Sequence, residues 1–371
     1  MSMPGDVKLE QNWGGELAVS QREDGLVQAV WSRKTISIEG YTYTDLAMSA
    51  ISASGETTPE QSFMDPLKLT EGSYWGLSID QYDGKMVIAG YQRDIATGGT
   101  WQDVTSIFAL TSETPDAQGS WGNPVVLLSD VDISRSKADS LTIALGSEEL
   151  HIIYQEIRDD VTGLDRVGLM YTRGNSTTSS WTFQTSIGDD ASLASMVLEN
   201  EEDGEVIYAA WREGKGKEAK MTYTITDRLW SNDANHVSAP GMTNVKMNPT
   251  TRGVQLLFDE INLYGPVTRY GLLSQDMTLT DYSVSNILTE GFLSGYIGME
   301  FDGLIMLSSA SGSLTLKPLA AYNEGTKEVE DVPFLESLLS YLPGDEGTKK
   351  AILIGTVVAL LVFLVFMFVS V

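Results

Sequence analysis

The chain has 371 residues, of which 51 are acidic and 24 are basic, so its formal net charge is -27. This excess of negative charge disfavours nucleic acid and anionic lipid headgroups as partners, because both are themselves negatively charged. There is no cysteine, and the only histidines are His151 and His236. Disulfides, cysteine nucleophiles and cysteine- or histidine-rich metal sites are therefore excluded.

A repeated pattern dominates the chain from its N-terminal region onwards. Each copy has an apolar strand, an acidic or glycine turn, and a second apolar strand that usually ends in an aromatic residue. The six copies are Leu17 to Trp31, Leu77 to Tyr91, Leu141 to Tyr154, Met196 to Trp211, Val245 to Phe258 and Tyr296 to Ser309. A third strand and a fourth segment, often led by tryptophan, follow most copies. Four strands per unit, repeated about every 50 to 65 residues, predict an all-β fold: a six-bladed β-propeller of four-stranded blades over residues 1–322.

Two recurring features within the repeats have structural explanations. The aromatic residue at the end of the second strand recurs at one position, so we predict that it packs between blades. The Asp-Gly pairs in several turns are predicted to be hairpin turns, because glycine tolerates positive φ there, and not calcium loops, which need denser oxygen ligands. His151 lies in the apolar run LHIIY and is predicted to be a strand residue.

The two ends of the repeat region complement each other. The sixth unit offers only three strands, the last of them Leu314 to Tyr322, whereas Asp6 to Val19 repeats the pattern of Asp65 to Ile79. We therefore predict that the N-terminal segment is the missing outer strand of the sixth blade. This closure would join the first and last blades and remove open sheet edges.

The third strands end in phenylalanine or tyrosine, a polar hairpin follows, and Ser-Trp or Leu-Trp comes next. This pattern resembles the sialidase-type propellers that carry bacterial neuraminidase repeats, which are marked by the Asp box, Ser-x-Asp-x-Gly-x-Thr-Trp. Tyr171 to Phe183 keeps the glycine and tryptophan of the box, but Arg173 stands at the aspartate position and extra residues precede Trp181. The boxes are thus degenerate. The resemblance covers most of residues 6–322 and implies the architecture, but it does not carry the activity.

Sialidase chemistry would need an arginine triad, a tyrosine with a glutamate partner, and an aspartic acid. Arg33, Arg93, Arg212 and Arg269 are available, but no motif assigns them to a triad. We therefore assign no catalytic residue and expect no cofactor or metal.

The loop after each second strand is polar and charged, and these loops are expected to share one face of the ring. Mixed charges on one face suit recognition of a polar partner, although polar loops also face water by default. The candidate binding residues are Arg33, Arg93, Glu156, Arg158, Arg212, Glu213, Asp259 and Glu260. We expect a non-catalytic binding or scaffold module for a protein or polar ligand; the alternative is a membrane-anchored glycoside hydrolase of the sialidase type.

Residues 323–350 form an acidic connector in which residues 333–342 have the apolar spacing of a short amphipathic helix. Ala351 to Val371 contains no charged residue and is long enough for a transmembrane helix. Lys349 and Lys350 precede it, and no signal peptide is evident, so we expect a single-pass, tail-anchored protein with a cytoplasmic propeller. The alternative is an extracellular propeller whose signal peptide is missing from the chain.

Overall fold

The computed structural model describes residues 7–11, 13–22, 26–35, 43–52, 56–62, 72–94, 105–117, 119–129, 131, 141–147, 149–159, 165–175, 180–201, 204–214, 218–230, 236–250, 253–262, 265–283, 292–299, 303–310 and 313–318. Contacts divide the chain into two units, Met1–Tyr322 and Asn323–Val371. None of the described residues forms a helix with the length and apolar character needed to cross a membrane. The predicted connector helix (333–342) and anchor (351–371) lie outside the described residues.

All regular structure in the described part of the chain is β-strand, as the alternating apolar pattern predicts. The strands, in chain order, are β1 (Val7–Glu10), β2 (Trp13–Gln21), β3 (Val27–Thr35), β4 (Tyr43–Ile51), β5 (Gln61–Ser62), β6 (Gly72–Tyr82), β7 (Lys85–Asp94), β8 (Thr105–Ser112), β9 (Val125–Leu128), β10 (Leu141–Leu145), β11 (Leu150–Asp159), β12 (Asp165–Asn175), β13 (Ser180–Asp189), β14 (Ala191–Glu201), β15 (Gly204–Glu213), β16 (Lys220–Asp227), β17 (Val237–Pro240), β18 (Met242–Thr250), β19 (Gly253–Asn262), β20 (Gly265–Leu273), β21 (Leu279–Ser283), β22 (Phe292–Met299), β23 (Gly303–Ala310) and β24 (Ser313–Pro318).

These strands pair into six antiparallel sheets of four strands each. Sheets 1 to 5 are formed by consecutive strands, namely β2–β5, β6–β9, β10–β13, β14–β17 and β18–β21. Sheet 6 contains β22, β23 and β24, and its fourth strand is β1 from the other end of the chain. Val7 pairs with Leu316, and Lys8 with Thr315. The pairing of the N-terminal segment with the last repeat is therefore confirmed.

The first strands of the sheets lie next to one another in a closed cycle. Their order is β2, β6, β10, β14, β18 and β22, and β22 is again a neighbour of β2. A cycle of four-stranded antiparallel sheets arranged by their first strands is the architecture of a β-propeller. The all-β propeller fold that the repeats predict is confirmed.

Among the described side chains, apolar residues fill the junctions between sheets 1 and 2, 2 and 3, 3 and 4, and 4 and 5. The aromatic residues that end the repeated second strands, Trp31, Tyr91, Tyr154, Trp211 and Phe258, are all at most 2% exposed. Burying each large side chain contributes about 1.5 to 3 kcal/mol. Trp211, for example, packs with Ile153 and Leu169 of sheet 3 in one cluster. Their predicted role in packing between blades is confirmed.

The first strands share a feature that the sequence pattern does not reveal. In sheets 1, 2, 4, 5 and 6 the register between the first and second strands breaks, so that extra residues of the first strand lie opposite the end of the second. At these breaks Gly76 has φ 60° and Leu193 has φ 53°. Such β-bulges bend a strand and redirect its side chains, and they are common at rims and next to functional sites.

Side chains on one first strand also bond to the backbone of the next. Ser78 Oγ accepts a hydrogen bond from Ile143 N (3.1 Å), and Ser195 Oγ accepts one from Met247 N (2.9 Å). Asp80 Oδ2 accepts from Leu145 N (2.8 Å). Burial raises the pKa of Asp80 to about 6, although the backbone hydrogen bonds act in the opposite direction. These bonds satisfy first-strand N–H groups on the edge that no strand of their own sheet covers.

Candidate ligand-binding rim

The predicted binding residues lie near the C-terminal ends of the second strands and not in loops. The second and third strands extend further than the apolar pattern, because backbone pairing continues past the aromatic residue where that pattern stops. Since second strands run in the same sense around the ring, these ends share one face. We call this face the rim. It carries Arg33 on β3, Arg93 on β7, Glu156 and Arg158 on β11, Arg212 and Glu213 on β15, and Asp259 and Glu260 on β19. The side chains of Arg93, Arg158 and Glu260 lie outside the described part of the structure.

Arg33 belongs to the closure of the ring. Its Nε lies 2.6 Å from Glu10 Oε2 of β1, and its guanidinium also pairs with Glu60. Trp31 Nε1 donates to the same Glu10 oxygen over 3.3 Å. Burial acts to lower the pKa of Arg33, but Glu60 and Glu10 together outweigh it and the pKa is raised. Arg33 therefore links β1 to sheet 1. Its guanidinium, which was predicted to bind a ligand, is paired with two carboxylates of the chain itself.

Glu213 is held on sheet 4 by two donors. Trp211 Nε1 donates to Glu213 Oε1 over 3.1 Å, and Lys220 Nζ lies 2.9 Å from Glu213 Oε2. Burial acts to raise the pKa of Glu213, but the hydrogen bonds from Lys220 and Trp211 outweigh it, so the pKa lies below its ordinary value. His236 packs edge-on against Trp211, with ring centroids 5.1 Å apart. Glu213 is therefore a fixed, ionised acceptor at neutral pH.

Two further rim groups are buried without hydrogen-bond partners among the described residues. Gln155 is 0% exposed, and neither its side-chain oxygen nor its nitrogen has a partner there. The Nε atom of Arg212 is also buried and has no hydrogen-bond partner among the described residues, although the residue as a whole is only partly buried. A buried polar group that makes no hydrogen bond costs about 1 to 3 kcal/mol, so such groups call for a bound water or a ligand atom.

Gln155 and Glu213 face the same junction, between sheets 3 and 4. Gln155 pairs with Leu169, and paired residues of an antiparallel sheet share a face; Leu169 packs with Trp211. Arg212 alternates to the other side of its strand and so faces sheet 5. It also pairs with Ser192, at the edge of the bulge in β14. We call Gln155, Arg212 and Glu213 the rim site.

Sequence reasoning missed Gln155, although a signal exists. The residue after each second-strand aromatic is polar in five repeats: Ser32, Gln92, Gln155, Arg212 and Asp259. In sheet 1, Ser32 Oγ accepts a hydrogen bond from Glu16 N over 3.0 Å, so this position can serve the bulge itself. A polar residue that recurs at one position of an apolar strand can indicate an irregularity of the backbone, such as the bulge here. The pattern does not reveal whether the polar side chain makes a hydrogen bond.

The rim site suits recognition better than acid-base catalysis. Most glycoside hydrolases use two carboxyl groups, one of them with a raised pKa. Glu213 has a lowered pKa, whereas Asp80, whose pKa is about 6, lies near the hairpin end of β6, away from the rim. The described first strands contain no arginine. In the described residues no group of three or more His, Asp or Glu side chains could hold a metal ion.

A second polar cluster lies at the opposite ends of the second strands, on the face formed by the hairpins between first and second strands. We call it the hairpin face. His151 is fully buried there; its Nδ1 lies 2.7 Å from the Tyr171 hydroxyl, and its Nε2 lies 3.2 Å from Glu205 Oε2 of sheet 4. The hydrogen bond from His151 lowers the pKa of Glu205, and burial raises the pKa of Tyr171. His151 is thus a strand residue, as predicted, and it links sheet 3 to sheet 4.

The fold and the rim define an all-β propeller that carries polar groups at the ends of its second strands. No protein-family model matches the chain, and no curated protein matches it. Among solved structures, it is similar to Penicillium chrysogenum α-L-arabinanase complexed with arabinobiose, with TM-score 0.53 and 9% identity over 86% of this chain and 99% of that chain. That similarity shows the propeller fold alone.

Two further solved structures have lower TM-scores. Trypanosoma rangeli sialidase in complex with sialic acid gives TM-score 0.49 at 12% identity, covering 92% of this chain. The match spans only 59% of the sialidase. The GH43_1 enzyme from Xanthomonas citri complexed with xylotriose gives TM-score 0.45 at 9% identity, over 74% of this chain and 92% of that chain. The sialidase-type assignment of the degenerate Asp boxes stays a prediction.

Proposed function

We propose that the chain is a six-bladed propeller that binds a carbohydrate at its rim. The observation that carries this proposal is the pair of buried polar groups without partners in the described residues, the Gln155 amide and Arg212 Nε, on neighbouring sheets. Gln155 is fully buried, so it would reach the ligand through an ordered water, whereas the partly exposed Arg212 and Glu213 would contact it directly.

The choice of carbohydrate follows from chemistry and from fold. An amide, a guanidinium and a carboxylate at one rim offer both donors and acceptors, which sugar hydroxyls need. The solved structures of similar fold include an arabinanase complexed with arabinobiose, and this supports the choice. A protein ligand, the other class that mixed rim charges favour, is an outcome of the experiment below.

The second candidate is hydrolysis of a glycosidic bond. The propeller of the arabinanase supports this candidate, since 99% of that enzyme's chain is covered by the similarity. The lowered pKa of Glu213 suits a base or a nucleophile, while the acid would have to come from a carboxyl group that we have not assigned. We therefore rank binding above hydrolysis.

We also propose that residues 351–371 hold the propeller at a membrane, with the propeller in the cytoplasm. The charge-free stretch and the preceding Lys349 and Lys350 support this proposal. Protease digestion of right-side-out vesicles tests it. Cleavage of the propeller only after lysis is expected; cleavage in intact vesicles would favour the extracellular alternative, and recovery of the full-length chain in the soluble fraction would overturn the anchor.

The rim proposal is tested by a glycan array, followed by calorimetry with arabinobiose, xylotriose and sialic acid on the full-length chain. Arg212→Met should weaken binding about tenfold or more, because it removes a charged donor. Gln155→Leu should weaken binding while it stabilises the free protein, since it replaces an unsatisfied buried amide with an apolar side chain of similar size.

Lys8→Met, on the exposed side of β1, is the control and should bind as the wild type does. Release of shorter sugars from the arrayed glycans would establish hydrolysis. Absence of any glycan binding would overturn both candidates, and capture of a protein by wild type but not by Arg212→Met would assign the rim to a protein partner.

A further inference from the structure

A polar pocket opens on the hairpin face, between sheets 2 and 3 and away from the rim. Its volume is about 160 Å³. Sheet 2 contributes the hairpin residues Tyr82, Asp83 and Lys85, together with Glu113 beyond the third strand. Sheet 3 contributes Leu145, Gly146, Ser147, Glu149 and Leu150 from around its own hairpin, and Asn175. Because the lining comes from two sheets, the pocket depends on the junction between them and not on a single loop.

The sheet 3 wall of the pocket is fixed from behind by sheet 4. Glu205 Oε1 accepts hydrogen bonds from Ser147 N (3.1 Å) and Ser147 Oγ (3.4 Å). The same carboxylate lies against Gly146, where an added Cβ would overlap it. His151 holds the other oxygen of Glu205. These hydrogen bonds connect the backbone of the wall through Glu205 to the buried His151, so the wall is pre-organised and a ligand would not have to order it.

The opposite side of the same wall is also fixed. Arg173 forms an ion pair with Glu149, which lines the pocket, and its guanidinium lies 5.8 Å from the centre of the Phe183 ring. Tyr82 is partly buried and packs against the core between sheets 2 and 3. The pocket thus combines an aromatic side chain set in the core with a carboxylate set by a stacked arginine.

The charges of the lining limit the class of ligand. Glu149 is neutralised by Arg173, but Asp83 and Glu113 still face one lysine, Lys85, so an anion would meet a surplus of carboxylates. In the described residues no cluster could hold a metal ion. Lys85 can donate and Glu113 can accept, and a neutral molecule with several hydroxyl groups can bond to both side chains at once.

Size adds a second limit. A cavity of about 150 Å³ holds one six-membered ring such as benzene, and this pocket has about 160 Å³. That space suits one ring carrying hydroxyl groups and excludes a long chain lying wholly inside. We propose that this pocket is a second binding site, which takes a single neutral sugar unit. The choice of a sugar as ligand rests on the proposed function, whereas the position of the site rests on the pocket alone.

The test is saturation-transfer NMR of the purified full-length chain with neutral monosaccharides, D-xylose, L-arabinose, D-galactose and D-glucose, each at millimolar concentration. At least one should receive saturation from the wild-type protein. Lys85→Met and Glu113→Gln should each weaken its binding about tenfold, because each removes a charged hydrogen-bonding group. Glu113 is exposed and Lys85 is half-buried, and unchanged melting temperatures should show that both variants fold.

The controls separate this pocket from the rim. Lys8→Met repeats the lysine substitution on sheet 6, and Arg212→Met alters the rim; neither should change monosaccharide binding at the pocket. If Arg212→Met abolishes binding and Lys85→Met does not, the pocket proposal is wrong and the rim proposal stands. If none of the four sugars binds to the wild type, the pocket proposal is wrong whatever the glycan array shows for the rim.

Discussion

The junction that closes the ring differs from the junctions inside it. Sheets 6 and 1 are joined by a strand from the far end of the chain and by the contacts of Glu10 with Arg33 and Trp31. Sheets 3 and 4 are joined by a continuous apolar cluster around Trp211, with the buried His151 and Glu205 contact at the hairpin face. The closing junction therefore adds strand pairing and an ion pair to the packing of Leu9 against the cluster around Trp31, whereas the interior junction adds one buried polar contact to its own apolar cluster.

Removal of residues 1–12, which breaks the closing junction, should cause the largest loss of stability. It deletes β1, its pairing with β24, and the carboxylate that holds Arg33, and we expect a loss on the order of 5 kcal/mol in the free energy of unfolding. The measurement is chemical denaturation followed by tryptophan fluorescence. Deletion of residues 2–6, which precede β1, is the control. An unchanged midpoint after removal of 1–12 would show that the closure adds nothing to stability.

The next largest effect is expected from His151→Leu at the junction of sheets 3 and 4. The substitution leaves the Glu205 carboxylate and the Tyr171 hydroxyl without their buried partner, and should cost about 3 kcal/mol. Tyr171→Phe should cost about 1 kcal/mol. The double variant should show a coupling between the two sites, measured by a double-mutant cycle; strictly additive losses would contradict the link.

This junction should also depend on pH. The pKa of Glu205 is lowered in the folded state, so its contribution to stability is present above the ordinary pKa of 4.5 and is lost as the pH falls below it. Acidification should therefore lower the free energy of unfolding less in His151→Leu than in the wild type.

A third prediction concerns Asp80, between sheets 2 and 3. Its folded-state pKa of about 6 exceeds the ordinary 3.8, so its contribution favours folding fully below pH 3.8 and is lost as the pH rises to about 6. Asp80→Asn keeps an oxygen acceptor for Leu145 N and removes the charge. Relative to wild type it should gain on the order of 2 kcal/mol between pH 4 and pH 7. Melting temperatures across that range provide the measurement, with the exposed Asp189→Asn as the control; parallel curves would rule out the effect.

The smallest effect is expected at Ser195, whose hydroxyl adds one hydrogen bond to the apolar packing between sheets 4 and 5. Ser195→Ala removes the acceptor for Met247 N and should cost about 1 kcal/mol. Ser186→Ala, at an exposed position of β13, should cost less than half of that. Equal losses in the two variants would mean that the bond between first strands contributes no more than a surface hydroxyl.

The same contrast explains what the sequence could predict. Apolar alternation and turn residues are local, so the repeats, the buried aromatics and the pairing of the N-terminal segment with the last repeat could be predicted. Gln155 and the contact of His151 with Glu205 could not, because they depend on how two sheets meet across more than fifty residues of sequence. Arg33 resembled the other rim arginines in sequence, and only the position of Glu10 distinguishes it.

The pairing of β1 with β24 determines when, during synthesis of the chain, the ring can close. Val7 leaves the ribosome about 300 residues before its partner Leu316. At about 5 to 20 residues per second, that interval lasts roughly 15 to 60 s. During this time β24 does not yet exist, so β1 cannot form its native pairing. The ring can therefore close only after nearly all of it has been made, when β24 becomes available to pair with β1.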